Sequence, residues 1–307
     1  MIFPPRPKAG DTILLVSPSS PLKAEEPVER IARAVEERGY RVRIGASCRG
    51  QTDRGYAAAS AAIRAQDINR GFADPDIKGI WCTRGGSTAA RMLPLLDYQL
   101  IRANPKPLLG FSDVTSLHMA IQQRCGLVTY HGPTANRLLQ LEKQDWSWES
   151  LAAVMEMEER LTIANPPGEA IMPLRPGTAC GELIGGNLSL VTASLATPWE
   201  IDTTGRVLYL EDVGEAVYAL ERMLTQLHWA GVLDKAAAVV LGPFTNCRNA
   251  YQEDYGPEAL LRDFFADYPK PVIANVRSAH CMPMVTLPLG ACCQVDGDKG
   301  ELTVFRR

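Results

Sequence analysis

The chain has 307 residues, beyond the length at which a single hydrophobic core stops growing, so two domains are expected. Hydrophobic residues make up 46% and charged residues 22%, which excludes a disordered or collagen-like chain. The formal charge of -3 is spread without any dense Lys/Arg block, and this excludes nucleic acid as an expected partner. The first strand is expected at Thr12–Val16, a continuous apolar run that ends in Ser17-Pro18-Ser19-Ser20. A helix follows from Glu25 to Arg38, with Val28, Ile31, Ala32 and Val35 at helical spacing and Gly39 as its stop. Arg41–Ile44 reads as a strand, Ala57–Phe72 as an Ala-rich helix, and Asp76–Cys82 as a strand running into Arg84-Gly85-Gly86. Pro107–Phe111 is one more short strand, joined without a spacer to a helix from Asp113 to about Gln123. Such alternation predicts a parallel sheet covered by helices.

From Trp146 to Arg160 the pattern is helical and acidic; Asn165-Pro166-Pro167-Gly168 and Arg175-Pro176-Gly177 then interrupt all periodicity. The expected division is an N-terminal α/β domain over 1–160 and a C-terminal mixed α/β domain over 161–307. Strands are predicted at Arg206–Leu210, Ala237–Leu241 and Val272–Ile273, a helix at Ala216–His228, and short antiparallel strands around an Asp-Gly-Asp-Lys-Gly turn between Ala291 and Phe305. No run of about 18 apolar residues occurs, and Met1–Lys8 has no apolar core, so the protein is expected to be cytoplasmic and not membrane-bound. The eight cysteines (48, 82, 125, 180, 247, 281, 292, 293) show no CxxC spacing and are expected to be reduced and buried; no metal or cofactor is expected.

The sharpest local feature is Gly110-Phe111-Ser112-Asp113-Val114, a serine between an apolar strand and a helix. A tight turn there would push its hydroxyl off the carboxyl edge of the sheet, with the next N–H aimed at a developing oxyanion. The same serine could equally be an N-cap, and Asp113 an acid that suits the helix dipole. A serine needs an imidazole to take its proton. His118, within the following helix, and His228, at a helix end, fit structural roles; His131, before Gly132-Pro133, could be a loop or substrate contact. His280 sits on a loop just beyond a strand, where a base is well presented. Val207-Leu208-Tyr209-Leu210-Glu211-Asp212 supplies the orienting carboxylate: Glu211, or Asp212 if the strand ends one residue later, with helix capping as the competing role of Glu211. Arg84-Gly85-Gly86-Ser87-Thr88 could wrap an anion but lacks nucleotide-loop spacing, and Gly185-Gly186-Asn187 could simply allow close backbone packing.

Together with Leu93–Tyr98, Lys106–Thr115, His131-Gly132-Pro133, Gly185–Leu188, Leu210–Glu215, Arg222–Leu227 and Leu287–Gly290, these segments resemble the LD-carboxypeptidase family of serine peptidases over nearly the whole chain. The resemblance implies a nucleophile at Ser112, a base at His280, a glutamate at Glu211 and an oxyanion hole from the N–H groups of Gly86 and Asp113. It also implies an active site at the domain interface, a homodimer, and release of terminal D-alanine from cytoplasmic murein tetrapeptides in cell-wall recycling. An immunity-type peptidase cutting a peptidyl or aminoacyl adenylate, such as microcin C, is the alternative, and a non-catalytic small-ligand binder on the same scaffold is the second. Two positions depart from the family pattern. Ala279-His280 stands where Gly-His is frequent, and Ser87-Thr88 where Tyr-Gly follows Arg-Gly-Gly. Both adjoin the presumed site, as do Cys82 and Cys281, so they bear on substrate choice, which pocket walls decide.

Overall fold

In the first half, the apolar runs become the parallel strands β1 (Thr12–Val16), β2 (Arg41–Ile44), β3 (Ile77–Cys82), β4 (Leu108–Gly110) and β5 (Thr129–His131). The computed structural model describes residues 1–50, 52–140 and 145–306, which form two compact units, Met1–Glu156 and Met157–Arg307. In the first unit the strands pair in the order β2-β1-β3-β4-β5, every pairing parallel. The order reverses between β1 and β3, and the loops leaving the carboxyl ends of such strands form the crevice where doubly wound sheets bind ligands.

The helices of this unit are α1 (Val28–Glu36), α2 (Ala61–Ala73), α3 (Tyr98–Ala103), α4 (Thr115–Cys125) and α5 (Trp146–Glu156). In α1 the residues spaced for one face, Val28, Ile31, Ala32 and Val35, are the buried ones. Helix α2 begins four residues later than expected because Ser60 caps it, its hydroxyl accepting from the Ile63 N–H at 3.3 Å. Ala57–Ala59 instead lie buried beside the β1 loop, with the Ala58 N–H on the Ser19 carbonyl at 2.8 Å. The helix expected to run to Arg160 stops at Glu156. The backbone beyond it is taken by a sheet: the Arg306 N–H donates to the Glu159 carbonyl at 2.8 Å, and Arg160 pairs with Phe305.

The second unit contains β6 (Arg160–Ile163), β7 (Met172–Arg175), β8 (Thr178–Asn187), β9 (Val207–Val213), β10 (Ala238–Thr245), β11 (Val272–Ala274), β12 (Leu287–Leu289), β13 (Cys292–Asp296) and β14 (Glu301–Phe305). Its helices are α6 (Leu188–Ala193), α7 (Val217–Trp229), α8 (Val232–Lys235) and α9 (Pro257–Phe264). An eight-stranded mixed sheet runs β6-β14-β13-β8-β9-β10-β11-β7. Its centre, β8 to β11, is parallel, and its flanks are antiparallel. Val207–Glu211 are fully buried, as a strand with neighbours on both edges and both faces must be. The β13–β14 turn is held by the Asp296 carboxylate, which accepts from the Asp298 and Lys299 N–H groups at 3.1 and 3.0 Å. No described helix is long and apolar enough to cross a membrane.

Candidate active site

Strand β4 ends at Gly110, and two residues later Ser112 adopts φ +66°, a left-handed conformation that costs a serine about 1–2 kcal/mol. A short turn at Ser112–Val114 then leads into α4. The residues at the two capping positions, Phe111 and Val114, make no side-chain cap bond, so Ser112 is a strained turn residue rather than an N-cap. Close packing beneath it requires small neighbours: a Cβ at Gly110 would lie 2.9 Å from the Cys82 Cβ. His118 reaches back from α4. Its Nε2 donates to the Gly110 carbonyl at 2.9 Å, and its Nδ1 accepts from the Thr129 hydroxyl at 2.8 Å. Burial pushes the pKa of His118 down to about 4, so this ring is a neutral brace of the turn.

The glycine loop after β3 lies against the same turn. A Cβ on Gly85 would sit 2.8 Å from the Ser112 Cβ and 3.0 Å from its Oγ, so only glycine allows this approach. Gly86 has φ +151°, and a Cβ there would strike the hydroxyls of Ser19 and Ser20. Asp113 is 1% exposed. One of its carboxylate oxygens accepts from the Ser19 hydroxyl at 2.5 Å and from the N–H groups of Thr88 and Ala89 at 2.7 and 2.8 Å. The loops after β1, β3 and β4 thus meet at one carboxylate.

In the second unit, β9 carries Glu211 and Asp212 within the strand, which continues to Val213, so the two side chains point to opposite faces. Glu211 is fully buried and accepts from His280 Nδ1 at 2.8 Å. Space for it comes from Gly242 on β10, where a Cβ would lie 2.9 Å from the Glu211 Cβ and where the β9–β10 register shifts. Burial raises the pKa of Glu211, and the His280 contact opposes that rise. With Nδ1–H engaged by the carboxylate, the lone pair of the neutral ring is on Nε2. Asp212 has other work. Its oxygens accept from Asn187 Nδ2 (2.8 Å), the Val213 N–H (2.8 Å), the Ser189 N–H (2.9 Å) and the Ser189 hydroxyl (2.8 Å), fastening the start of α6. Of the two acids, Glu211 is the one bonded to the imidazole.

The His280 loop is fixed at several points. Asn165 Nδ2 donates to the Asn275 carbonyl at 2.6 Å, and its Oδ1 accepts from the Arg277 N–H at 3.0 Å. The Val285 N–H donates to the Arg277 carbonyl at 2.8 Å, and the Arg277 guanidinium pairs with Glu169 at 3.1 Å. Cys281 is half-buried on this loop with its thiol pKa raised by burial, and Cys82 is fully buried with its pKa pushed higher still; neither is a thiolate nucleophile. His131 is fully buried on β5 between the rings of Phe111 and His118, which rules it out as an exposed loop contact. His228 is exposed near the end of α7, 3.7 Å from Asp234. The Gly185–Gly186 pair serves packing: a Cβ on Gly185 would overlap the Tyr209 carbonyl. Among the described residues no group of three or more His, Cys, Asp or Glu side chains is disposed to hold a metal.

Sequence reasoning did not find the Asp113 carboxylate, Gly242, the Asn187–Asp212 bond or the Asn165 anchor. Only the first had a local signal, an acid directly after the candidate serine.

The chain matches the family model of the LD-carboxypeptidase N-terminal domain over residues 13–132 and that of the LD-carboxypeptidase C-terminal domain over residues 180–295. It is 36% identical over 293 residues to the probable murein peptide carboxypeptidase of Bacillus subtilis (strain 168), covering 93% of this chain and 90% of that protein. With the murein tetrapeptide carboxypeptidase of Pseudomonas aeruginosa it shares 30% identity over 300 residues, 94% of each chain. Among solved structures it is similar to the microcin C7 self-immunity protein MccF in complex with aspartyl sulfamoyl adenosine, with a TM-score of 0.89, 25% identity and coverage of 100% and 99% of the two chains.

Proposed function

The chain belongs to the LD-carboxypeptidase family of serine peptidases, and from that premise we propose that it releases terminal D-alanine from murein tetrapeptides, with Ser112 as nucleophile, His280 as base and Glu211 as the group that orients the base. The observation that carries this reading is the buried Glu211 carboxylate 2.8 Å from His280 Nδ1, which fixes the tautomer whose Nε2 accepts a proton. In the reaction, Ser112 gives its proton to Nε2 as Oγ attacks the carbonyl carbon of the L,D-amide. The N–H groups of Gly86 and Asp113 donate to the resulting oxyanion. The imidazolium returns the proton to the departing amine of D-alanine. Water, deprotonated by the same nitrogen, then opens the acyl-serine ester and regenerates Ser112.

The murein peptide is favoured by the 36% and 30% identity to relatives that carry murein-peptide names. Likeness to MccF holding an aspartyl sulfamoyl adenosine supports the second reading, cleavage of a peptidyl or aminoacyl adenylate. In the first reading the enzyme works as a cytoplasmic homodimer in cell-wall recycling, with no nucleic acid and no membrane as partner. The test is incubation with a D-alanine-terminated murein tetrapeptide and, separately, a peptidyl adenylate, using wild type and Ser112→Ala. Release of D-alanine that vanishes in Ser112→Ala is expected; adenylate cleavage alone would shift the assignment to the second reading. If wild type fails to react with a fluorophosphonate while Ser112→Ala still binds peptide tightly, the protein is a binder and not a peptidase.

A further inference from the structure

We infer that the side chains of Asp113 and Arg64 are positioning residues that set the spacing of the two oxyanion donors, the N–H groups of Gly86 and Asp113. The inference rests on the function proposed above, because it assigns a purpose to groups around that oxyanion site.

The geometry lies wholly within the first unit. Asp113 carries one proposed donor on its backbone, and its side chain reaches across to the loop that carries the other. It holds that loop two and three residues past Gly86, at the Thr88 and Ala89 N–H groups, 2.7 and 2.8 Å away. Ser19 doubles the tie: its hydroxyl donates to the same carboxylate oxygen at 2.5 Å and accepts from the Thr88 N–H at 3.1 Å. Arg64 holds the opposite side of residue 88. Its guanidinium is 1% exposed and donates to the Thr88 carbonyl and hydroxyl, both at 3.0 Å, to the Pro18 carbonyl at 2.6 Å and to the Ala59 carbonyl at 3.0 Å. Residue 88 is therefore gripped at its N–H by a carboxylate and at its carbonyl by a guanidinium, while Gly86 and Ser87 are exposed at the tip of the loop.

Four buried, charge-assisted bonds to Thr88 and Ala89 exceed what the single exposed turn before them needs merely to exist. Surface loops are ordinarily mobile and held by fewer contacts. Glycine at 85 and 86 gives the turn its close approach to Ser112 but also the freedom to stray, and a displacement of about 1 Å at a catalytic group can cost about 100-fold in rate. The clamp removes that freedom from a distance, without touching substrate.

The experiment compares Asp113→Asn, Ser19→Ala and Arg64→Lys with wild type. Competent sites are counted by exhaustive fluorophosphonate titration. kcat and KM per titrated site are then measured on a D-alanine-terminated tetrapeptide, together with the affinity of a peptide boronic acid that forms a tetrahedral adduct on Ser112. The expected result is a fall in kcat per titrated site of about 10- to 100-fold in Asp113→Asn, smaller in Ser19→Ala, with KM within about twofold. The boronate should weaken in parallel with kcat/KM, and the pH profile should keep its shape. Arg64→Lys, which keeps the charge but loses the fork, should fall between wild type and Asp113→Asn. If the variants lose titratable sites while each remaining site turns over at the wild-type rate, the clamp is only a stabiliser of the fold and the inference fails while the proposed function stands. Should Asp113→Asn not fold, the other two variants decide by the same criterion. Absence of fluorophosphonate reaction in wild type would overturn both readings together.

Discussion

Replacing Glu211 by Gln removes a charge from a fully buried position and leaves the shape of the side chain nearly unchanged. The carboxylate accepts from His280 Nδ1 at 2.8 Å. A glutamine has one accepting and one donating end, and either can face that nitrogen. If its NH2 group faces Nδ1, that nitrogen must accept; the ring proton moves to Nε2, and the base is blocked. If it turns the other way, the tautomer survives, but the imidazolium formed during attack loses its counter-charge. Loss of an orienting carboxylate in the well-studied serine protease triad costs about 10⁴ in kcat, so a fall of about 10³- to 10⁴-fold is expected, about 4–5.5 kcal/mol of barrier. Stability should move the other way. Burial raises the pKa of Glu211 above 4.5 in the folded state, so ionising it opposes folding as the pH climbs from 4.5 through the raised value; the glutamine has no such penalty. The variant's melting temperature relative to wild type should therefore rise across that window. The assay is D-alanine release per titrated serine, paired with thermal melts from pH 4 to 8. Activity of Glu211→Gln within tenfold of wild type would refute the orienting role.

Asp212→Asn should do the reverse: one amide cannot accept from all four donors around Asp212, so stability should drop by about 2–3 kcal/mol in urea unfolding, while kcat per titrated site stays within tenfold. Gly85→Ala places a methyl group 2.8 Å from the Ser112 Cβ; kcat should fall at least tenfold with the fold retained by circular dichroism, and unchanged kcat would show that the loop can retreat without cost. His118 has a folded pKa lowered from 6.5 to about 4, so its contribution to stability is complete above pH 6.5 and is lost as the pH falls toward 4. The loss amounts to about 3 kcal/mol. Urea midpoints of wild type should drop more steeply over that range than those of His118→Gln, and parallel curves would remove His118 as the titrating group.

The parallel strands of the first unit were legible because each is short, apolar and followed by a turn signal: Leu14–Ser17, Trp81–Arg84 and Leu109–Ser112 repeat one design. Helix ends were less so. Ala57–Ala59 have helical composition but are spent on packing against the β1 loop, and only the cap at Ser60 marks the true start. The second unit concealed more. Strand β8 contains Gly181, Gly185 and Gly186, which argue against a strand by propensity, yet Gly185 has to be glycine because the Tyr209 backbone occupies the space of its Cβ. Strand β6 was missed, with only its first residue, Arg160, read into the preceding helix, because its partner, β14, lies about 140 residues away in sequence, and pairing over that distance leaves no local pattern.

The site shows the same division between local and distant causes. Ser112, His280 and Glu211 could be picked out as candidates because each stands at or near the end of a strand, where chemistry is commonly presented. What separates Glu211 from Asp212 is invisible in sequence. Both are buried acids on one strand, and alternation alone says only that they face opposite ways; the choice is made by Gly242 clearing space on one side and by Asn187 and Ser189 gathering donors on the other. Asp113 was read for its backbone N–H and its place in the first turn, whereas its carboxylate bonds to residues about 25 and 94 positions distant. A sequence displays the groups that react, since these must lie where a substrate can reach them. The groups that hold them in place are recruited from wherever the fold happens to bring a donor within 3 Å of an acceptor.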